Sequence, residues 1–324
     1  MPLPVTEHVA ASARHTTGYL ACGPSDGPLI VFVHGWPELS LSWRHQLPHF
    51  GALGFRAVAP DMRGYGQTDR PAAVDQYTIL HLVGDMVGVL DALGEATAVI
   101  VGHDWGAPVA WQSARLRPDR FRAVAGMSVP FIPRAAQPPT CSMPRSDDAE
   151  FYMLYFQRPG VADAELARDV RKTISSLLYG GSGDAGTAAR AAFSMVSPQR
   201  GVLEHRALPA QRPGWLSEAD IDFYTGEFER TGFTGGLNWY RNLDRSWELM
   251  APFTNLPVPV PALFIAGELD AVLTFRGMDK LVPNLKMFVP QLRESLLLPG
   301  CGHWVQQERP REVNERLLRW LKGL

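Results

Sequence analysis

The spacing of apolar residues changes character several times along the chain. Leu29-Ile30-Val31-Phe32-Val33 is an unbroken apolar run rich in β-branched residues, as expected of a strand covered on both faces. Arg56-Ala57-Val58-Ala59-Pro60 and Thr97-Ala98-Val99-Ile100-Val101 repeat the pattern, and 121–128 continues it. Between these runs, 39–53 and 79–93 read as helices. In the second, Leu82, Met86, Val89, Leu90 and Leu93 recur at helical spacing. Strands alternating with helices predict a mostly parallel sheet with right-handed crossovers and helices on both faces.

The alternation stops near Pro130. Pro133, Pro138, Pro139 and Pro144 disfavour regular structure, and the glycine-rich stretch 180–186 reads as flexible. Several helical patches follow, one opened by the capping-box-like Ser217-Glu218-Ala219-Asp220. Strand-like runs return at 262–266 and 295–298, and 311–321 forms an amphipathic terminal helix. The pattern therefore predicts an α/β core at 1–131 and 256–324, interrupted by a mostly helical segment at 132–255. No internal repeat or low-complexity tract is evident.

Composition narrows the function classes. The chain has 324 residues, 46% hydrophobic and 20% charged, as in ordinary globular proteins. Its net charge of −2 gives no electrostatic footprint for nucleic acid or an anionic membrane. Cys22, Cys141 and Cys301 are too few and too scattered for a disulfide framework or a cysteine zinc site, which suits a reducing, cytoplasmic setting. No apolar run reaches the length of a membrane span, and the first ten residues lack the pattern of a signal peptide.

Three short motifs sit where predicted strands end. Gly102-His103-Asp104-Trp105-Gly106 joins a strand to a helix. Glycines on both sides of one residue permit the sharp turn of a nucleophile elbow, here with Asp104 in the middle. A carboxylate is ionised at neutral pH and can attack carbon directly. Taken alone, Asp104 also fits a helix-capping role. Gly267-Glu268-Leu269-Asp270 follows the next strand, and Gly300-Cys301-Gly302-His303 the last. Asp270 alone reads as a turn residue and His303 as a loop histidine. Together they give nucleophile, acid and base in the chain order of the α/β-hydrolase triad, at the strand ends where open α/β sheets bind ligands. His34-Gly35-Trp36-Pro37 follows the first buried strand. Backbone N–H groups of Trp36 and Trp105 can form an oxyanion hole, while both indoles also fit plain core packing. Other motifs fail. His45 and His49 flank Pro48 with no metal-protease glutamate, and the glycine clusters match neither a phosphate loop nor a dinucleotide site.

With these residues in view, nearly the whole chain resembles the soluble α/β-hydrolase-fold epoxide hydrolases, bacterial members in particular. The motifs are His34-Gly35-Trp36-Pro37-Glu38, Asp61-Met62-Arg63-Gly64-Tyr65-Gly66, the Asp104 elbow, Phe156-Gln157-Arg158-Pro159-Gly160, Asn238-Trp239-Tyr240-Arg241-Asn242 and Gly302-His303-Trp304. The resemblance implies a helical lid (cap) inserted after the sixth core strand, at 132–255. It also implies two lid tyrosines that hydrogen-bond the epoxide oxygen, Tyr152 and Tyr240, with Tyr155 a rival one turn from Tyr152. Asp104 would open the ring and become an ester, which water activated by His303 and Asp270 hydrolyses to a vicinal diol. No metal or organic cofactor is implied. The expected partner is a small-molecule epoxide, and the expected assembly a monomer or homodimer. Trp36, Trp105, Phe131, Met153, Trp239 and Leu273 are the candidate pocket walls and suggest an apolar substrate.

Haloalkane dehalogenases share the core motifs, and halide could be bound by Trp105 and Trp36. They have no need of two phenols, however. In several of them the acid follows the sixth strand, where this chain has Ser128-Val129-Pro130. A binding protein on the same scaffold would have no need of a base beside Asp104.

Overall fold

The computed structural model describes residues 3–11, 15–186, 193–204, 206, 208 and 211–324. Among these, eight strands form one sheet: β1 (Thr6–Ala11), β2 (Thr16–Cys22), β3 (Leu29–Val33), β4 (Arg56–Pro60), β5 (Ala98–His103), β6 (Phe121–Met127), β7 (Ala262–Gly267) and β8 (Leu292–Leu298). Their order is β1-β2-β4-β3-β5-β6-β7-β8. The pairs β1–β2 and β2–β4 are antiparallel and the remaining pairs parallel.

Every residue of β3, β5 and β7 is buried, as their unbroken apolar runs require. The two-residue period of a strand divides each run between two cores. Val31, Val33 and Ile100 pack with Leu82, Met86 and Val89 of helix α2 (Ile79–Ala92) and with Trp111 of α3 (Gly106–Leu116). Ile30, Phe32, Val99 and Val101 pack on the opposite face with Trp43, with Leu47 and Phe50 of α1 (Gln46–Ala52), and with Leu317 and Trp320 of the terminal helix (Pro310–Leu321). Each such buried side chain contributes roughly 1.5–3 kcal/mol. The continuous helix expected at 39–53 is instead a 3₁₀ turn, Ser40–Trp43, followed by α1. Pro48 explains the restart, because a residue without N–H is tolerated only in a helix's first turn.

Between β6 and β7 the described chain forms a single helical turn at Pro139–Ser142, where Pro139 sits at the first helical position, and then the helices α4 (Tyr152–Tyr155), α5 (Val161–Ala167), α6 (Val170–Gly181), α7 (Glu218–Thr231), α8 (Thr234–Arg241) and α9 (Leu243–Leu249). A two-residue ladder, Glu150–Phe151 against Met195–Val196, also lies there and was not expected from the sequence. The Ser217 capping box forms: Ser217 Oγ accepts the Asp220 N–H at 3.1 Å, and the Ser217 N–H donates to Asp220 Oδ2 at 2.8 Å.

The glycines at 180–183 are a seam rather than a flexible link. A Cβ at Gly302 would lie 2.2 Å from Gly183 N, so the two backbones meet with no room for a side chain. The Glu308 carboxylate accepts N–H groups from Gly183, Gly302 and Trp304 at 2.9–3.0 Å, and the His303 N–H donates to Gly181 O at 2.8 Å. The end of α6 is therefore fastened to the loop that carries His303. The three cysteines are unpaired. No described helix is long and apolar enough to cross a membrane.

Candidate active site

The elbow follows from close packing at the edge of the sheet. A Cβ at Gly106 would lie 2.1 Å from Val33 O, and one at Gly102 would lie 2.0 Å from Gly106 O. Only glycine lets α3 start so close to β3 and β5. The chain reverses between them through Asp104, whose φ of +50° is in the left-handed region. For a residue other than glycine this costs roughly 1–3 kcal/mol and persists only where the surroundings enforce it. Asp104 Oδ1 accepts the Trp36 N–H at 2.7 Å. A Cβ on Gly35 would lie 2.3 Å from Asp104 Oδ1, so the loop after β3 closes on the carboxylate only as glycine.

The turns after β7 and β8 bring Asp270 and His303 to the same place. His303 Nδ1 lies 3.0 and 3.2 Å from the Asp270 carboxylate oxygens, and its Nε2 faces Asp104 Oδ2 at 3.4 Å. Asp270 also accepts the Val272 N–H at 2.9 Å. Burial opposes a charge on His303, but the Asp270 and Asp104 carboxylates outweigh it and raise the pKa above the ordinary histidine range. Burial likewise opposes ionisation of Asp270, yet His303 and the hydrogen bond from Ser128 hold it below the usual carboxylate range.

Ser128 has a place in this cluster that its sequence gave no reason to expect. Its Oγ donates to Asp270 Oδ2 at 2.5 Å and lies 2.8 Å from His303 Nδ1. In sequence it registered only as the absence of a carboxylate after β6. The available signal was its position at a strand end beside β7. Ser128→Ala should leave the fold intact and slow the step that depends on His303. A hydrogen bond to a charged group contributes about 1.5–3 kcal/mol, so steady-state turnover should fall about tenfold or more. Rapid-mixing kinetics that found every step unchanged would remove Ser128 from the site.

Beneath the elbow lies a second buried set. Glu38 accepts the Gly35 N–H at 3.0 Å, the side-chain amides of Gln306 and Gln307 at 2.9 Å each, and a bond from His103 Nδ1 at 2.7 Å. His103 Nε2 donates to the carbonyl of His303 at 2.7 Å. Burial disfavours the Glu38 charge, but His103 and the Gly35 N–H more than offset it and lower its pKa. The loop after β3, the elbow and the His303 loop are thus joined by one polar network.

Tyr152 and Tyr240 are both buried, with ring centroids 5.9 Å apart. They line a narrow cavity together with Asp104, His303, Trp36 and Phe156. Burial, with the Asp104 carboxylate adding to it, pushes the Tyr152 phenol above the ordinary tyrosine range. Burial, then Tyr152 and Asp104, does the same to Tyr240. Both phenols are protonated at neutral pH. Gln157 Nε2 donates to Met153 O and Tyr240 O, at 2.9 Å each, and so ties α4 to α8. Tyr155 faces elsewhere: its hydroxyl donates to Glu165 Oε2 at 2.8 Å, and it is not among the residues lining the cavity.

Of the six wall residues expected from sequence, Trp36 lines the cavity, while Trp105, Phe131, Met153, Trp239 and Leu273 do not. Trp105 packs on Tyr240 in a T-shaped contact, ring centroids 5.1 Å apart. The Trp239 indole is held away by a 3.0 Å hydrogen bond to Arg63 O. Phe131 packs on Trp111, beneath Arg115. Met153 and Leu273 pack against the core, and Val272 reaches the cavity in place of Leu273. The lining also includes Phe156, Leu177, Phe193, Val202, Arg206 and Trp304. Most of these come from the segment between β6 and β7, whose approach to Asp104 has no local sequence signal.

The geometry matches a known class. A profile of the alpha/beta hydrolase fold matches residues 28–310, and the chain belongs to that family. Epoxide hydrolase A of Mycobacterium tuberculosis is 47% identical over 304 residues, covering 93% of this chain and 92% of the relative. Epoxide hydrolase 3 of Siraitia grosvenorii is 40% identical, covering 96% of each. The solved structure of an epoxide hydrolase from an endophytic Streptomyces superposes with a TM-score of 0.93 at 46% identity, covering 98% of this chain and 96% of the other. Within the α/β hydrolases, the chain belongs with the epoxide hydrolases.

Proposed function

We propose that the protein adds water to apolar epoxides and releases vicinal diols through an ester on Asp104. An epoxide carbon is electrophilic, but its leaving alkoxide is poor. Asp104 attacks that carbon as the ring C–O bond breaks, and the phenols of Tyr152 and Tyr240 hydrogen-bond the departing oxygen, one of them passing it a proton that the His303 imidazolium or solvent restores. His303, held by Asp270, then takes a proton from water, which attacks the ester carbonyl. The backbone N–H groups of Trp36 and Trp105 stabilise the tetrahedral oxyanion, at roughly 2.7–4 kcal/mol per donor. On this reading 132–255 is the lid that supplies the phenols, and 1–131 with 256–324 is the core that supplies the triad. Action in the cytoplasm as a monomer or homodimer belongs to the same reading.

The observation that carries the proposal is the pair of buried phenols sharing a cavity with Asp104 and His303. Halide release from the same triad would leave both without a purpose. Styrene oxide offered beside a bromoalkane should give diol and no halide; halide without diol would overturn the reading. Tyr152→Phe and Tyr240→Phe should each lower turnover by about tenfold to a hundredfold, one charge-assisted hydrogen bond apiece. The double change should nearly remove turnover, because either phenol partly covers for the other. Tyr155→Phe should be nearly silent, and a large loss there with Tyr152→Phe silent would reverse the choice between them.

A further inference from the structure

The cavity also contains a cation that the chemistry above leaves unused. Arg206 lines it together with Asp104, Tyr152 and Tyr240. Its Nε donates to Val202 O and one Nη to Phe193 O, both at 3.1 Å. The guanidinium lies 4.4 Å from the Phe193 ring centre, and that ring is 6.3 Å from Tyr152. Two carbonyls and an aromatic face therefore hold the group in place beside the phenols.

Among the described residues, no carboxylate lies within ion-pair distance of Arg206. The acidic side chain that influences it, Glu165, is committed elsewhere. Its oxygens accept the Tyr155 hydroxyl at 2.8 Å and the N–H groups of Val202 and Leu203 at 3.1 and 2.9 Å. Burial draws the Arg206 pKa down to about 10, which leaves it charged at neutral pH. A guanidinium has five N–H donors, and two carbonyls leave most of them unused. The carboxylate that shares the cavity, Asp104, accepts the Trp36 N–H and faces His303, so the spare donors of Arg206 are open to a carboxylate on a ligand.

We propose that Arg206 anchors a carboxylate on the substrate, so that the preferred substrates are epoxides bearing a carboxylate beyond an apolar spacer. The inference rests on the epoxide-hydrolase reading and specifies its substrate class. Arg binds carboxylates through paired N–H donors, which gives orientation as well as attraction. Leu177, Phe193 and Val202 line the cavity with Arg206 and suit an apolar spacer. The spacer is needed because Asp104 repels a second carboxylate placed next to the ring.

The test compares styrene oxides carrying a para-carboxylate, para-acetate or para-propionate with their primary amides. At one spacer length the acid should exceed its amide in kcat/KM by about tenfold or more, mainly through KM. Arg206→Gln should collapse that ratio towards one, and Arg206→Lys should restore part of it. Calorimetric titration with the diol acid and the diol amide reads the same preference without turnover. Equal values for acid and amide in the wild type at every length would overturn the proposal. So would an Arg206→Gln enzyme, folded by circular dichroism, that loses acid and amide activity equally. The two readings fail separately. If the amides are hydrolysed without any preference for acid, only the Arg206 anchor falls. If no epoxide is hydrolysed, the catalytic reading falls and the titration still decides the anchor.

Discussion

Asp104→Ala should abolish diol formation, by about four orders of magnitude or more, while the protein remains folded. The size of the effect follows from the absence of a substitute. Asp270 is engaged by His303, Ser128 and the Val272 N–H, and Glu38 is buried beneath the loop after β3. Among the described residues, no other carboxylate lines the cavity. Stability should change little, because alanine inherits the same left-handed backbone and the glycine contacts that enforce it are untouched. Product analysis with styrene oxide, with circular dichroism as the control for folding, checks both halves. Diol formation above a few per cent of wild type would refute Asp104 as nucleophile. Asp104→Asn is a poorer variant, since the water activated by His303 can deamidate it back to aspartate.

What the sequence displayed and what it hid have physical explanations. The runs that became β3, β5 and β7 were legible because a strand covered on both faces must be apolar throughout. The antiparallel pair β1 and β2 was not, since in β1 only Ala10 is buried and the strand carries no period of its own. Asp104, Asp270 and His303 stood out because strand-end loops of a parallel sheet converge on one edge, so chain order alone implies proximity. Ser128 gave no comparable sign: its role arises from a strand pairing, β6 beside β7, between segments more than a hundred residues apart. The cavity walls were the least legible. Trp239 is large and apolar but its indole turns to Arg63 O, and Trp105 packs on Tyr240, whereas Arg206, a charged residue in a poorly patterned stretch, reaches the cavity. The resemblance pointed to Tyr152 and kept Tyr155 as a rival; no local pattern in the sequence showed that Glu165 lies where it accepts the Tyr155 hydroxyl.

Replacing His303 with glutamine should separate the two halves of the reaction and trap the ester. Ring opening requires an ionised Asp104 and protonated phenols, and both are present without the imidazole. Ester hydrolysis requires a base. In the resting site the charge of Asp104 is one cause of the raised His303 pKa, along with Asp270. Esterification removes that charge, so the ring can release its resting proton towards the opened oxygen or solvent and is neutral when it must accept one from water. Glutamine can bridge the space between Asp104 and Asp270 but cannot take the proton. His303→Gln should therefore accept one equivalent of epoxide and stall, with diol turnover lower by about three orders of magnitude or more. Intact-protein mass spectrometry should show one adduct of the substrate's full mass, and peptide mapping should place it on Asp104. A dehalogenase given an alkyl halide would instead gain only the alkyl group and release halide. A single turnover of wild-type enzyme in heavy-oxygen water gives the complementary result. Water attacks the carboxyl carbon of Asp104, so the label should enter Asp104 and not the diol. Label found in the diol during that turnover would mean that water attacks the epoxide directly, and the covalent route would have to be abandoned even if Asp104→Ala were inactive.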